Sequence, residues 1–531
     1  MEQAIEIRDD NTGLSTRIYV GLLLIVAAAA VVAGAATGLQ IMFGVGVMVA
    51  MLAVIMLSHI KYAVFFIALY FPFEEIILKY LPVPDNFYSA LRYAGEGAIY
   101  ALFLAVLIKK IKQRSFKGTP LDIPLILFVG VVLVSALVNN TNLVETGLFV
   151  RALLRYAFLY YAIVNLELSR EFVKKLVLGL IIIGMIQVSI GFAQLAVGEP
   201  LNNLLKPRPS SFSVAGHSKQ FIILAGNRER GSMWGTTGDT VTLSLFLMVT
   251  LAITAGYGFF SKGLKKILYI LAGLAIFSAI VYTYSRGTML ASFGMLIVLF
   301  LMRKYWLVLT ATILLMILVV IIVTPHGIIP TQVRHANRER ISPIEDLATI
   351  LTPEYQRGAS RNRLYVLMHV PSAVLAESPL VGLGPTYGTN SNWRYLGDVY
   401  WMNILLKTGF LGLAAFIALF VQLSIIARRV YIESTDEGDK AMALSYIGIL
   451  IGMILTSFFL PVPEIRTISL YFWLFAGLII AANARLGQES QDAIIIDKTA
   501  GTPRPELLAK GAAPVHKKIT ALTEKTDLSA R

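Results

Sequence analysis

The sequence predicts an all-α, polytopic bundle of about 14 membrane-spanning helices, with both termini cytoplasmic and one large periplasmic loop carrying short helices. Three observations predict it. Over 531 residues the chain is 56% hydrophobic and only 15% charged, with a mean hydropathy of +0.71, more apolar surface than a soluble protein of this size keeps dry. The apolar residues fall into runs close to the roughly 20 residues that a helix needs to cross a hydrocarbon core. Alternate loops between those runs are basic.

The spans fall at 18–37, 39–58, 60–79, 93–109, 122–139, 146–166, 173–196, 239–257, 265–283, 287–302, 304–323, 400–426, 440–460 and 467–485. They are too continuously apolar for barrel strands, so the backbone must satisfy itself within helices. Residues 1–17 form a polar cytoplasmic segment, not a cleavable leader: the run from Ile18 is too long and no small-residue cleavage site follows it. The bundle occupies 18–485, and the polar residues 486–531 form a disordered cytoplasmic tail.

Orientation follows from short loops. With the N-terminus inside, Lys61, Lys109 to Lys117, Arg170 to Lys175, Lys262 to Lys266, Arg303 with Lys304, and Arg428 with Arg429 all fall on the cytoplasmic side. The net charge of +14 is therefore a topology signal and not a nucleic-acid footprint. Two long loops, 198–237 and 324–398, fall outside and yet carry arginines. In Tyr70-Phe-Pro-Phe-Glu-Glu75 a proline and two carboxylates predict a kink or an end near the outer mouth of the third span.

The outer arginines are the candidates for chemistry. Arg151 and Arg155 are four residues apart, on one face of a helix. A charge there needs a polar cavity or a partner; an anion, an ion pair with Glu96, and snorkelling to headgroups are all open. Arg286, in Tyr284-Ser285-Arg286-Gly287, is either an interfacial anchor or an anion ligand, with Gly287 allowing a tight turn. Arg230, in Asn227-Arg-Glu-Arg-Gly231, precedes a helix start, which suits an anion seat or a solvated loop equally. Arg363 opens a helix-like run to Glu377, and the turn Ser378-Pro-Leu-Val-Gly-Leu-Gly-Pro385 follows it. Asp398 stands just before the next span, as helix cap or as catalytic base.

Other chemistries find little purchase. There are no cysteines, hence no disulfides or thiol nucleophiles. The six histidines show no metal-ligand spacing, and His369 reads as packed within an apolar run. No phosphate-cradling glycine motif points to nucleotide drive. No cofactor or metal is expected.

From Arg151 to Lys407 the chain resembles the family of O-antigen ligases and O-antigen or exopolysaccharide polymerases. The resemblance rests on Arg228-Glu-Arg-Gly231, Ser285-Arg286-Gly287, Arg363 followed by Pro379-Leu-Val-Gly-Leu-Gly384, and Lys407-Thr-Gly409-Phe-Leu-Gly412. It implies a membrane glycosyltransferase of the bacterial inner membrane, using an undecaprenyl-pyrophosphate-linked glycan without metal or nucleotide sugar. Arg151, Arg155, Arg230, Arg286 and Arg363 would then bind the pyrophosphate, and Asp398 would orient or deprotonate the acceptor. Ligases of the family carry a histidine where this chain has Asp398, and often an acidic residue where it has Lys407. The histidine-to-aspartate departure favours a repeat-unit polymerase over a ligase acting on an acceptor such as lipid A core. A flippase for lipid-linked oligosaccharides is the rival from another class, but such transporters show internal repeats and a midplane site. A chain-length regulator is the partner that the family implies, beside the glycan and the bilayer.

Overall fold

The computed structural model describes residues 60–80, 91, 93–207, 211–214, 217–220, 232–307, 309–310, 313–314, 359–385 and 399–499. The expected spans at 18–37 and 39–58, most of 304–323, and the candidates Arg230 and Asp398 lie outside them. Each expected span that falls on described residues coincides with a helix or a broken pair of helices. Six of these helices are long and apolar enough to cross a membrane, or seven if one bent pair counts as a single span. The protein is a multi-pass, helical membrane protein.

The helices are α1 (Ile60–Tyr70), α2 (Glu74–Tyr80), α3 (Ala94–Lys112), α4 (Asp122–Val138), α5 (Leu143–Leu154), α6 (Ala157–Leu166), α7 (Arg170–Val197) and α8 (Glu199–Leu205). After these come α9 (Thr240–Phe260), α10 (Gly263–Tyr282), α11 (Arg286–Met302), α12 (Ala359–Glu377), α13 (Tyr400–Glu433), α14 (Glu437–Thr456) and α15 (Arg466–Thr499). A small antiparallel hairpin of β1 (Ser211–Val214) and β2 (His217–Gln220) interrupts the expected loop 198–237. The chain divides after Ala482, and α15 runs across that division, past the expected end of the span at 485.

Helix ends follow local chemistry. The side chains of Asn142, Ser169, Asp239 and Asp436 accept hydrogen bonds from Val144 N, Phe172 N, Thr242 N and Asp439 N, capping α5, α7, α9 and α14. Pro72 turns the backbone into the 3-10 segment Phe71–Phe73 between α1 and α2, the break expected from the sequence. Helix α9 is the hub, packed against α7, α10, α11 and α14. Helix α10, by contrast, turns Leu264, Ile267, Leu268, Leu271 and Leu274 outward. An apolar face left open this way belongs against lipid.

Helix α13 is not continuous. Gly409 has φ 64° and ψ −169°, a conformation open essentially to glycine alone. The break frees backbone groups in the apolar interior, and the 379–383 turn takes them up. Leu383 N donates to Leu406 O at 2.7 Å, Phe410 N to Pro379 O at 2.9 Å, and Leu411 N to Leu380 O at 3.2 Å. Asn139 Nδ2 ties Gly382 O to α4 at 3.0 Å, and Ser135 Oγ donates to Lys407 O at 2.8 Å. The two glycine-rich motifs thus form one clasp, in which backbone groups freed by the break are paired by the turn. The clasp fixes α12 on α13 through Val366, Val370, Val374, Leu405 and Leu406.

One end of the bundle, here the lower end, is held by lysines and arginines. Arg170 Nε meets Asp439 at 2.9 Å, Lys174 meets Asp436 at 3.5 Å, and Lys117 and Lys110 reach Glu167 at 2.9 and 3.2 Å. The hydrogen bonds from Lys117 and then Lys110 hold the Glu167 carboxyl below the usual carboxylate range. The opposite, upper end holds the candidate site.

Candidate functional site at the upper end

The arginines at the upper end fall into two groups. Arg151 Nε and Nη2 meet the two Glu96 oxygens at 2.8 and 2.6 Å, a bidentate pair, and Glu96 is 2% exposed. Tyr100 also donates to Glu96. Arg466, the first residue of α15, places its Nη2 2.8 Å from Oε1 of buried Glu74. These two guanidiniums have protein counter-ions, as buried charges require.

Arg155 differs. It is the C-cap residue of α5, at a 45° bend between α5 and α6. Its Nη2 donates to the backbone carbonyl of Glu464, which carries no formal charge. Its Nε is buried without a hydrogen-bond partner among the described residues. The two arginines expected to act from one helical face therefore meet different fates.

One short turn between α14 and α15 touches Arg155, Arg363 and the first turns of α11 and α13. Phe459 packs directly on the first turn of α11: a Cβ built on Gly287 would lie 2.8 Å from Phe459 Cβ. The Arg363 guanidinium lies 6.0 Å from the Phe459 ring centroid, within cation–π range. Glu464 O takes Arg155, and Ser457 O takes Tyr400 N at 2.9 Å, pinning the start of α13 two residues after Asp398. Prolines 461 and 463 stiffen this turn, which closes with the 3-10 segment Val462–Glu464.

The start of α11 is set independently. Tyr284 adopts φ 55°, and Ser285 Oγ and Ser244 Oγ each lie 3.0 Å from Thr288 Oγ1, tying that first turn to α9. Residues 232–238, downstream of Arg230, are buried in the upper end. Gln194 Oε1 accepts from Trp234 N and Gly235 N at 3.1 and 2.7 Å, Gln187 Oε1 accepts from Thr236 N at 3.0 Å, and Met233 N reaches Tyr282 O at 3.4 Å. The segment that follows Arg230 is thus held firmly beside the approach to Arg286.

These positions acquire a family through comparison with known proteins. Residues 271–417 match the family model described as O-antigen ligase. This stretch is similar to the O-antigen ligase family. No curated protein matches it significantly. The matched stretch runs from α10 through α11 and α12 into α13, so it contains Arg286, Arg363, Asp398 and both halves of the glycine clasp. Arg151, Arg155 and the whole Phe459–Arg466 turn stand outside the O-antigen ligase-like segment.

That turn is what the sequence reading passes over. The criterion that singles out Arg286, an arginine at the outer mouth of a span, applies equally to Arg466. The roles of Phe459 and Glu464 had no such signal, because both act by where a backbone places them. His369, expected to be packed, is instead exposed, stacked on Tyr365 with ring centroids 4.0 Å apart.

Proposed function

We propose that the chain polymerises undecaprenyl-pyrophosphate-linked oligosaccharide repeat units into exopolysaccharide or O-antigen, at the outer face of the bacterial inner membrane. The observation that carries this reading is the gathering of Arg155, Arg363, the first turn of α11 and the start of α13 on one proline-stiffened turn. In the chemistry proposed, a sugar hydroxyl of the acceptor attacks the anomeric carbon of the donor. The bond to the pyrophosphate breaks, and negative charge develops on the departing diphosphate. Planar guanidiniums grip phosphate oxygens in pairs, so fixed arginines stabilise that charge without a metal.

In this reading Arg155, Arg286 and Arg363 bind the pyrophosphate, with Arg230 from the adjoining loop. Arg151 is reassigned: its charge is committed to Glu96, and its part is to hold α5 against α3. Asp398 orients or deprotonates the acceptor hydroxyl. Basic loops at the lower end support a cytoplasmic position for that end and an outer position for the proposed site. The family description names a ligase, which keeps transfer to a different acceptor, such as lipid A core, as the second reading.

Purified full-length protein, supplied with lipid-linked repeat units, tests the assignment. Asp398→Asn should abolish elongation while the protein still inserts and purifies normally. Arg286→Lys should weaken donor binding about tenfold or more, because an ammonium cannot form the two-point contact. Wild-type elongation in Asp398→Asn would reduce that residue to a helix cap, and unchanged donor affinity in Arg286→Lys would remove it from the phosphate site.

A further inference from the structure

We propose that Glu464, Tyr400 and Arg155 form a carbohydrate subsite, in which Glu464 and Tyr400 hold hydroxyl groups of the acceptor sugar beside the donor phosphate on Arg155. The proposal rests on the glycosyltransfer reading above and adds to it residues outside the O-antigen ligase-like segment or unassigned within it.

Three polar groups without partners meet here. Glu464 gives its backbone carbonyl to Arg155, yet its carboxylate makes no ion pair or hydrogen bond among the described residues. Glu74 and Glu96 are each paired with an arginine. The Tyr400 hydroxyl is buried without a partner among the described residues, on a side chain that is 0% exposed. Arg155 Nε is buried in the same condition. The Tyr400 phenol lies within electrostatic range of both Glu464 and Arg155. A buried polar group left alone is costly, so the Tyr400 hydroxyl and Arg155 Nε, beside the half-buried Glu464, mark a place built for a ligand.

The mixture of groups narrows the ligand. A simple anion would meet the Glu464 carboxylate, and a simple cation would meet Arg155. A neutral polyol joined to, or lying beside, a phosphate suits all three. Its hydroxyls donate to the carboxylate, an oxygen accepts from the phenol, and the phosphate takes the guanidinium. A small cavity beside Pro463 is lined mainly by apolar side chains, Leu153, Leu154, Phe416, Phe472 and Trp473 among them, with Ser469 as its polar member. Such a lining offers hydroxyls little, so they turn toward Glu464 and Tyr400.

Purified full-length wild type, Glu464→Gln, Glu464→Asp and Tyr400→Phe would be compared on two readouts. One is glycan transfer from lipid-linked repeat units extracted from cells lacking the gene; the other is binding of undecaprenyl pyrophosphate alone. Glu464→Gln should transfer about 10- to 100-fold more slowly. Its binding of undecaprenyl pyrophosphate should stay the same or tighten, since a negative charge beside the phosphate is removed. Glu464→Asp should recover part of the rate, and Tyr400→Phe should lose about tenfold with binding unchanged. Wild-type transfer in both Glu464→Gln and Tyr400→Phe overturns the subsite, as does a parallel loss of transfer and binding, which marks a structural role. If Glu464→Gln fails to insert, Tyr400→Phe decides on the same two readouts. A wild type that neither transfers nor binds sinks the glycosyltransfer reading itself, an outcome distinct from an active wild type with indifferent variants.

Discussion

Arg151 and Arg155 show how far a residue type can be read without its surroundings. Their spacing places both on one face of an ideal helix, but the bend after Leu154 separates their partners: a carboxylate for Arg151, a neutral carbonyl for Arg155. The distinction is testable because it predicts opposite phenotypes. Arg151→Ala strands the nearly inaccessible Glu96 carboxylate, a loss of about 3–5 kcal/mol, and should lower the melting temperature in detergent by several degrees. The double variant Glu96→Gln with Arg151→Gln should recover most of that stability, since no buried charge is left unpaired. Arg155→Ala should melt close to wild type and bind undecaprenyl pyrophosphate about 10- to 100-fold more weakly, as expected for a charged hydrogen bond to ligand. Failure of the double variant to recover, or a strong donor defect in it, would put Arg151 back among the phosphate ligands.

At the scale of elements, the informative feature is the clasp between the 379–383 turn and the break in α13. Its residues could be read from the sequence as motifs and as turn-formers, since Pro379, Gly382 and Gly384 are turn chemistry. Their purpose could not be, because the pairing joins segments whose intervening residues include most of a loop and the start of a span. Gly409 and Gly382 approach so closely that a Cβ on Gly409 would sit 2.4 Å from Leu380 O, and one on Gly382 would sit 2.5 Å from Gly409 N. Both also hold positive φ, at 64° and 70°. Gly409→Ala therefore combines backbone strain of about 1–3 kcal/mol with a clash against main chain that has no room to yield. The expected outcome is a protein made at reduced level, with faster proteolysis in the 379–383 turn. Normal yield and protease resistance would mean that the clasp is dispensable. The Pro72 break was legible because it depends on a few neighbouring residues; the clasp and the Phe459 turn were not, because each depends on chain partners far away in sequence.

At the scale of the whole molecule, lipid makes the architecture easy to read. Backbone groups in hydrocarbon leave helices as the outcome, so runs such as 240–260 and 437–456 declare themselves by hydropathy. The proposed site is less legible because its candidate residues come from α5, α11, α12 and a turn near the end of the bundle, and hydropathy does not encode the packing between them. The same architecture poses the remaining question of acceptor identity, and the lipid-linked pool of a deletion strain answers it. Loss of a polymerase should leave single repeat units accumulating on undecaprenyl pyrophosphate at the outer face, because export continues while elongation stops. Loss of a ligase should leave long polymer still attached to lipid. Loss of a flippase should trap single units on the cytoplasmic side, where they are protected from an outer-face glycosidase in spheroplasts. The candidate arginines at the upper end argue against the flippase, and the polymerase activity proposed above predicts the first of these outcomes. Long lipid-linked polymer in the deletion strain would favour the ligase, and protected single units would remove glycosyl transfer from this chain altogether.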